Sequence, residues 1–246
     1  MGVIYIRIAI LSDIHGNKEA TLQVVDSLKS EKIEGIAYLG DLIDYGMYSN
    51  EVIEVVQNIK YPIVCNLRGN HEQAIITEDY NRFSSERGRT CARYTRSVLN
   101  QNTWDYITEI QQGSGMSEFM IEDKRCLAVH GSLADIYWKA ICPGENSTEY
   151  RKYDYVFSGH SHLPHCFEVF YPADNPKMRN KKKTIFINPG SVGQPRNLNP
   201  MAQYCILDTD TEQIDMRKVP YDILKEQSAY HGQVDDFYRE RLMTGV

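Results

Sequence analysis

Along this chain short apolar runs alternate with stretches of helical spacing. Residues 3–11 form a near-continuous apolar run, broken mainly by Arg7, as expected of a strand buried on both faces. From Asn17 onward apolar residues recur at Ala20, Val24, Val25 and Leu28, the 3.6-residue stripe of a helix. A second strand is predicted over 36–39, a second helix over 51–59 and a third strand over 63–67. Strands and helices alternating at this spacing build βαβ units, and so a parallel sheet.

The character changes at about Glu72. To about residue 115 the chain is polar and rich in Arg and Ser, with helical spacing at Tyr94 and Val98 and again at Trp104 and Ile107. This predicts a helical insertion over about 72–115, beside the sheet rather than within it. Strands return at 118–121 and 126–129, around an acidic Glu122-Asp123-Lys124 turn, and then at 155–157, 166–171, 185–187, 204–207 and 213–216. A closing helix is predicted within about 222–243. No internal repeat or low-complexity linker divides the chain, and its 246 residues suit one domain.

Composition narrows the classes. With 42% hydrophobic and 24% charged residues the balance is that of a globular protein, which argues against disorder. The formal net charge of -6 gives no electrostatic reason to expect a nucleic-acid backbone or an anionic membrane as partner. An acidic protein acting on a phosphate ester needs local positive charge, and bound metal supplies it. The basic stretch Lys177, Arg179, Lys181, Lys182 and Lys183 lies between two predicted strands and is read as a solvated connection that deters edge pairing. The six cysteines form no C-x-x-C pair and read as reduced, buried small hydrophobes. The first residues lack a basic region followed by a long apolar core, and no run reaches the roughly 18 apolar residues of a membrane span. A cytoplasmic location is expected.

The candidate chemistry lies in the histidines. Of seven, five (His15, His71, His130, His160 and His162) stand just after a predicted strand, beside Asp, Asn or Gly. The segments are Ser12-Asp13-Ile14-His15-Gly16-Asn17, Gly40-Asp41-Leu42-Ile43-Asp44, Gly69-Asn70-His71-Glu72, Val129-His130-Gly131 and Gly159-His160-Ser161-His162. Ligands of open α/β sheets bind outside the carboxyl ends of the strands, so the fold can bring all five to one rim. Carboxylate oxygen and imidazole nitrogen suit Mn, Fe, Zn, Ni or Co, and the absence of cysteine argues against a closed structural zinc site. Asp13 and His15 stand two apart, as do His160 and His162, so in extended segments each pair points one way. Asp41 has two oxygens and can bridge two ions. Two ions about 3.5–4 Å apart clamp a phosphoryl group and lower the pKa of bound water towards ~7. His71 is then free to act on the leaving oxygen as general acid or to stabilise phosphoryl charge. Taken singly, Asp13 or Asn17 reads as a helix N-cap and Gly40-Asp41 as a turn. His165 and His231 fall outside the pattern.

In this set and order the segments resemble the calcineurin-like metallophosphoesterase superfamily: D-x-H, G-D, G-N-H-[DE], H and G-H-x-H are all present. The resemblance spans residues 4 to about 195, and the segment from Asn188 to Arg196 is similar to the one that follows in small bacterial members. It implies a four-layer αββα sandwich of two mixed β-sheets flanked by helices. It also implies two divalent ions, Mn before Fe, Zn, Ni or Co. Asp13, His15, Asp41 and His162 would hold one ion; Asp41, Asn70, His130 and His160 would hold the other. A hydroxide bridging the ions would attack phosphorus while His71 assists the leaving group. Asp44 would orient His71, and Asn17 would touch substrate or water.

The departures bear on the substrate. Phosphoprotein phosphatases and related dinucleoside tetraphosphate hydrolases carry G-D-x-x-D-R-G, whose arginine grips phosphate. Here Tyr45 takes that place, and a tyrosine cannot make a bidentate charged grip. Leu67-Arg68-Gly69-Asn70-His71-Glu72 does look like that branch. The expected activity is hydrolysis of a small phosphate ester, a diester ahead of a monoester. Arg87, Arg89, Arg93 and Arg96 of the insertion are candidates for the missing charge, though a solvated helix face explains them too. The alternatives are a phosphoprotein or dinucleoside polyphosphate phosphatase, or a non-catalytic metal-binding scaffold of the kind found in one retromer subunit. In such scaffolds the site has decayed, whereas here all seven ligand positions and His71 are filled.

Overall fold

In the computed structural model, which describes residues 7–111, 114–144, 148–179 and 181–246, ten strands form two five-stranded sheets. They are β1 (Arg7–Leu11), β2 (Gly35–Tyr38), β3 (Ile63–Asn66), β4 (Met116–Ile121), β5 (Lys124–Val129), β6 (Tyr155–Ser158), β7 (His165–Phe170), β8 (Lys183–Asn188), β9 (Ala202–Asp208) and β10 (Gln213–Val219). Residues 3–6 of the predicted first strand lie outside the described residues, as do 112–113 at the end of the insertion. The first sheet runs β10-β9-β1-β2-β3 and the second β4-β5-β6-β8-β7. In each, three central or adjacent strands are parallel (β1, β2, β3 and β5, β6, β8) and the others pair antiparallel. Both sheets are mixed, and helices flank them, as the expected sandwich requires.

The apolar run of β1 is explained by burial on both faces. Ile8 and Ile10 enter the layer between the sheets, where they meet Ala37, Leu39 and Leu207 and, from the second sheet, Ala128, Phe157 and Ile187. Ala9 and Leu11 point the other way. They join Val24 and Leu28 of helix α1 (Lys18–Leu28) and Val52, Ile53 and Val56 of helix α2 (Ser49–Gln57). On the far side of the second sheet, Leu127, Val129, Val156 and Phe186 are covered by Ile141, Tyr150 and Tyr153. Among the described residues of that connection, helical structure is confined to a 3-10 turn, Thr148–Tyr150.

The stretch read as an insertion is helical: α3 (Asn70–Thr77), α4 (Glu86–Val98), α5 (Gln101–Asp105) and a π-helical turn over Tyr106–Ile110. The predicted closing helix is corrected. Residues 222–243 form α6 (Ile223–Gln227), α7 (Phe237–Glu240) and a 3-10 turn, Arg241–Met243, with a non-helical stretch between α6 and α7. Glu226, Tyr230, Val234, Tyr238 and Leu242 are all buried, so the four-residue spacing did report a buried face. Continuity is lost after Gln227, and Gly232, within the stretch between the two helices, has φ 82°, in the left-handed region that helices do not use.

Cys65, Cys91, Cys126 and Cys205 are buried as expected, but Cys142 and Cys166 are exposed, the latter on the outward face of edge strand β7. In the basic stretch Lys183 opens β8 and donates to Glu168 Oε1 on β7 (2.7 Å). Among the described residues no helix is long and apolar enough to cross a membrane.

Candidate metal centre

Asp13 follows β1, Asp41 follows β2 and Asn70 follows β3, while His130 follows β5 and His160 follows β6. The carboxyl ends of parallel strands from both sheets therefore meet at one rim, where such sheets place their ligands. Backbone hydrogen bonds stitch the loops together: Asp13 N to Gly40 O (3.1 Å) and His15 N to Asp41 O (2.9 Å). His160 N donates to Asp13 Oδ2 (3.1 Å) and His71 N to Asp41 Oδ1 (2.9 Å). Gly69 is required by a close approach, since a Cβ there would collide with the Asp41 carboxylate.

Side chains two apart do converge, but not through extended backbone. Asp13, His15, His160 and His162 have φ of 53°, 50°, 64° and 59°. Asp41, Asp44 and Tyr45 are also left-handed, at 54°, 72° and 61°. The ligand pairs therefore sit on tight left-handed turns. Such backbone costs on the order of 1–3 kcal/mol per residue, persists where the surroundings over-determine it, and clusters at functional sites.

Three groups of side chains, all buried except the half-buried His160, could hold an ion: Asp13, His15 and His162; His15, Asp41 and His71; and Asp41, His130 and His160. Asp41 Oδ2 lies 3.7 Å from His15 Nε2 and 3.3 Å from His130 Nε2, at the junction of the first and third groups. Asn70 Oδ1 stands 2.9 Å from both His130 Nε2 and His160 Nδ1.

The donor set itself tests whether a cation fits. His15 Nδ1–H donates to Ile43 O (3.2 Å) and His162 Nδ1–H to Gln194 O (2.6 Å). Burial, then the charge of His71, pushes the pKa of His15 well below its ordinary value. Burial and Arg196 bring that of His162 to about 4. Both rings are therefore neutral, and their Nε2 lone pairs face each other at 3.2 Å. Asp13 Oδ1 is 3.2 Å from His162 Nε2, is fully buried and has no hydrogen-bond partner among the described residues. Three acceptors converge with no proton among them, an arrangement a metal cation satisfies. In the other half, burial would lower the pKa of His130, but Asp41 and Asp13 outweigh it and raise it to about 9. A proton is there held where an ion would supply the charge.

His71 is placed beside these groups. Its Nδ1–H donates to Asp44 Oδ2 (2.6 Å), and Thr95 Oγ1 donates to the other oxygen, Asp44 Oδ1 (2.6 Å). Burial opposes the imidazolium, but Asp41 and Asp44 prevail and hold its pKa above the ordinary value. Its Nε2 is 3.9 Å from Asp41 Oδ2. The Tyr45 ring lies against both His15 and His71, with centroids 4.6 and 4.4 Å away, and stacks on Tyr238 at 4.5 Å.

Asn17 is not brought to the cavity. It is fully buried, its Oδ1 accepts from Ala20 N (3.0 Å) as the N-cap of α1, and its Nδ2 donates to Gly193 O (2.9 Å) and Tyr221 Oη (3.1 Å). Its oxygen and both amide hydrogens are engaged within the fold and it does not line the cavity, so the N-cap role stands in place of the expected substrate contact. Other residues matter that were given no role. The Glu72 carboxylate accepts from the backbone N–H of Gly69 (2.8 Å), Asp41 (2.9 Å), Leu42 (2.6 Å) and Ile43 (3.2 Å), locking two ligand loops together. Glu72 stood in a quoted motif; Thr95 and Trp138 carry no local signature.

A cavity of about 410 Å³ opens over Asp41, Asn70, His71, His160 and His162. Arg82 and Phe83 of the insertion, Trp138 and Arg196 wall it together with Tyr45. None of Arg87, Arg89, Arg93 or Arg96 is among the lining residues. Arg68 is spent on the carbonyls of Ile107 (2.7 Å) and Thr108 (2.5 Å).

The calcineurin-like phosphoesterase superfamily domain matches residues 6–212, and the chain belongs to that superfamily of divalent-metal-dependent phosphate-ester hydrolases. It is similar to protein MJ0912 of Methanocaldococcus jannaschii, 27% identical over 97% of this chain and 98% of that one. The serine/threonine-protein phosphatase 4 catalytic subunit of Candida glabrata is 28% identical over 52% of this chain and 39% of its own length. In fold it is similar to protein PH1004 of Pyrococcus horikoshii (TM-score 0.81, 20% identity, 99% of each chain). A metallophosphoesterase of Sphaerobacter thermophilus is similar too (TM-score 0.73, 24% identity, 98% of this chain and 100% of that one).

Proposed function

We propose that this chain hydrolyses small phosphate esters, diesters ahead of monoesters, at a centre of two divalent ions, manganese foremost. Asp13, His15, Asp41 and His162 hold one ion and Asp41, Asn70, His130 and His160 the other, with Asp41 shared. The observation that carries this reading is the proton-free meeting of Asp13 Oδ1, His15 Nε2 and His162 Nε2. When bound, the ions clamp the phosphoryl group and make a water nucleophile available near neutral pH. His71 donates its Nε2 proton to the departing ester oxygen, and Asp44 fixes the ring and steadies its charge. Tyr45, stacked against His15, His71 and Tyr238, fills the loop position with a ring rather than a cation, which favours the singly charged diester. Phe83 and Trp138, edge to face at 5.2 Å, offer apolar surface to the alcohol group.

The test compares an aryl phosphodiester with the matching monoester, using protein loaded with Mn, Fe, Zn, Ni or Co in turn. The expected result is a higher kcat/KM for the diester with Mn; no turnover of either ester with any of the metals would sink the proposal. Similarity over half the chain to serine/threonine phosphatases favours a second reading, a phosphomonoesterase. A clear preference for phosphoserine peptides would establish it.

A further inference from the structure

The cavity holds a cation with no counter-charge of its own. Of the arginines around the site, Arg82 pairs with Asp135 (2.5 Å) and Arg96 with Glu78 (2.8 Å), while Arg89 and Arg93 share Glu86 (2.7 and 3.3 Å). Arg68 caps carbonyls of the π-helical turn. Arg196 alone among the residues lining the cavity carries a guanidinium with no ion pair or hydrogen bond to any described residue.

Its support is rigid. Val192 N donates to Ser12 O (3.0 Å) and Gly193 N to Asp13 O (3.1 Å), and Ser191 Oγ donates to Asp13 O (2.6 Å). The carbonyl of Gln194 receives His162 Nδ1–H. The backbone leading into Arg196 is thus bonded to the same loops that carry Asp13 and His162, which sets where the Arg196 side chain leaves the chain relative to the ligand cluster. A second arginine adds to the field. Arg241 is buried, donates from Nε to Gln194 Oε1 and lies over the Tyr45 ring (5.0 Å), and its Nη2 has no partner among the described residues. No carboxylate neutralises either of them among the described residues. Uncompensated guanidinium groups at a cavity lined by imidazole, amide and hydroxyl groups are suited to an anion, which the planar fork can take with two hydrogen bonds.

We infer that Arg196 is a substrate-binding residue of this site, gripping the non-bridging oxygens of the phosphoryl group, with the buried charge of Arg241 reinforcing it. This rests on the proposed phosphoesterase function. It also assigns the site's positive charge to the segment after β8 rather than to the insertion. The grip acts on any phosphoryl group, so Arg196 sets affinity for diester, monoester and free phosphate alike.

The experiment uses manganese-loaded full-length chain and inorganic phosphate as probe, with affinity read by calorimetry and bound manganese counted in every variant. Arg196→Met is expected to weaken phosphate at least tenfold and to raise KM for the aryl diester more than it lowers kcat. Arg196→Lys should recover part of the loss, because it keeps the charge but not the fork. Arg93→Met, which removes a charge away from the cavity, should stay within twofold of wild type. If wild type cleaves esters and Arg196→Met binds phosphate as tightly, the inference fails and the proposed function stands. Loss of manganese from Arg196→Met would reassign the residue to holding the metal loops and overturn the grip. If loaded wild type neither binds phosphate nor cleaves an ester, the functional reading itself is lost and the inference with it.

Discussion

His71 is the single side chain whose removal separates proton delivery from metal holding. Replacing it with Ala deletes the imidazole but leaves Asp13, His15, Asp41, Asn70, His130, His160 and His162 in place. Turnover of an aryl diester is therefore expected to fall by about 10²–10⁴-fold, the usual contribution of a positioned acid, with bound manganese unchanged. Steady-state kinetics beside metal analysis reads both, and undiminished turnover would remove His71 from the mechanism. At this scale the identities of the clustered residues were legible, because Asp, Asn and His next to Gly after a strand form a recognisable chemistry. Their backbone was not. Seven of the eleven described non-glycine residues with positive φ belong to the site, and extended geometry was the expectation for four of them. A hint existed in the residue types, since Asp, Asn and His tolerate the left-handed region better than most. Arg196 was visible only as the end of a motif; its lack of a partner is a fact of three dimensions.

Among the elements, all ten strands could be placed from apolar runs and alternation, their ends moving by a few residues. The C-terminal segment could not, because a four-residue spacing of buried side chains reads as a helix whether or not the chain between them is continuous. Glu226 of α6 shows what that segment does instead. Its Oε2 accepts Glu19 N (3.0 Å) at the start of α1, its Oε1 has no partner among the described residues, and it is fully buried. Burial raises its pKa from 4.5 to about 8, prevailing over the Glu19 backbone N–H, which stabilises the carboxylate. The folded state therefore keeps a proton that the unfolded chain releases, and stability falls as pH rises from about 4.5 to about 8, then levels. Glu226→Gln keeps an acceptor and cannot ionise. Thermal melts of both proteins between pH 5 and 9 should show wild type losing ground to the variant across that window and running parallel above it. A constant difference at every pH would mean that Glu226 does not titrate there.

For the whole molecule, the decisive fact is that the ligand rim joins two sheets. His130 Nδ1–H, at the end of β5 in the second sheet, donates to Leu39 O at the end of β2 in the first (2.7 Å). His160 N reaches Asp13 Oδ2 across the same junction. Ions of the proposed centre would tie the sheets together and bind the folded state alone, so chelation is expected to lower the melting temperature. With ion at about 100 times Kd each site contributes ~2.7 kcal/mol. For a chain of this size that corresponds to roughly 5–10 °C per site. Calorimetric scans with EDTA and with excess manganese measure it; identical midpoints would mean that the rim holds no ion in the folded protein. The two-sheet architecture was legible only through the resemblance, because strand alternation by itself does not say which strands share a sheet.

The cavity separates two kinds of inheritance. Its floor is made by strand ends of both sheets, where replacing one of the clustered Asp, Asn or His ligand candidates would disturb the fold and the proposed ion site together. Its walls come from elsewhere: Arg82 and Phe83 from the insertion, Trp138 from the connection after β5, and Arg196 from the segment after β8. If Arg196 holds the phosphoryl group common to every ester, variation at the other three, Arg82, Phe83 and Trp138, is expected to change which ester is taken while the grip and the ligand cluster stay as they are. A small combinatorial library confined to those three positions would explore substrate choice without searching for catalysis again.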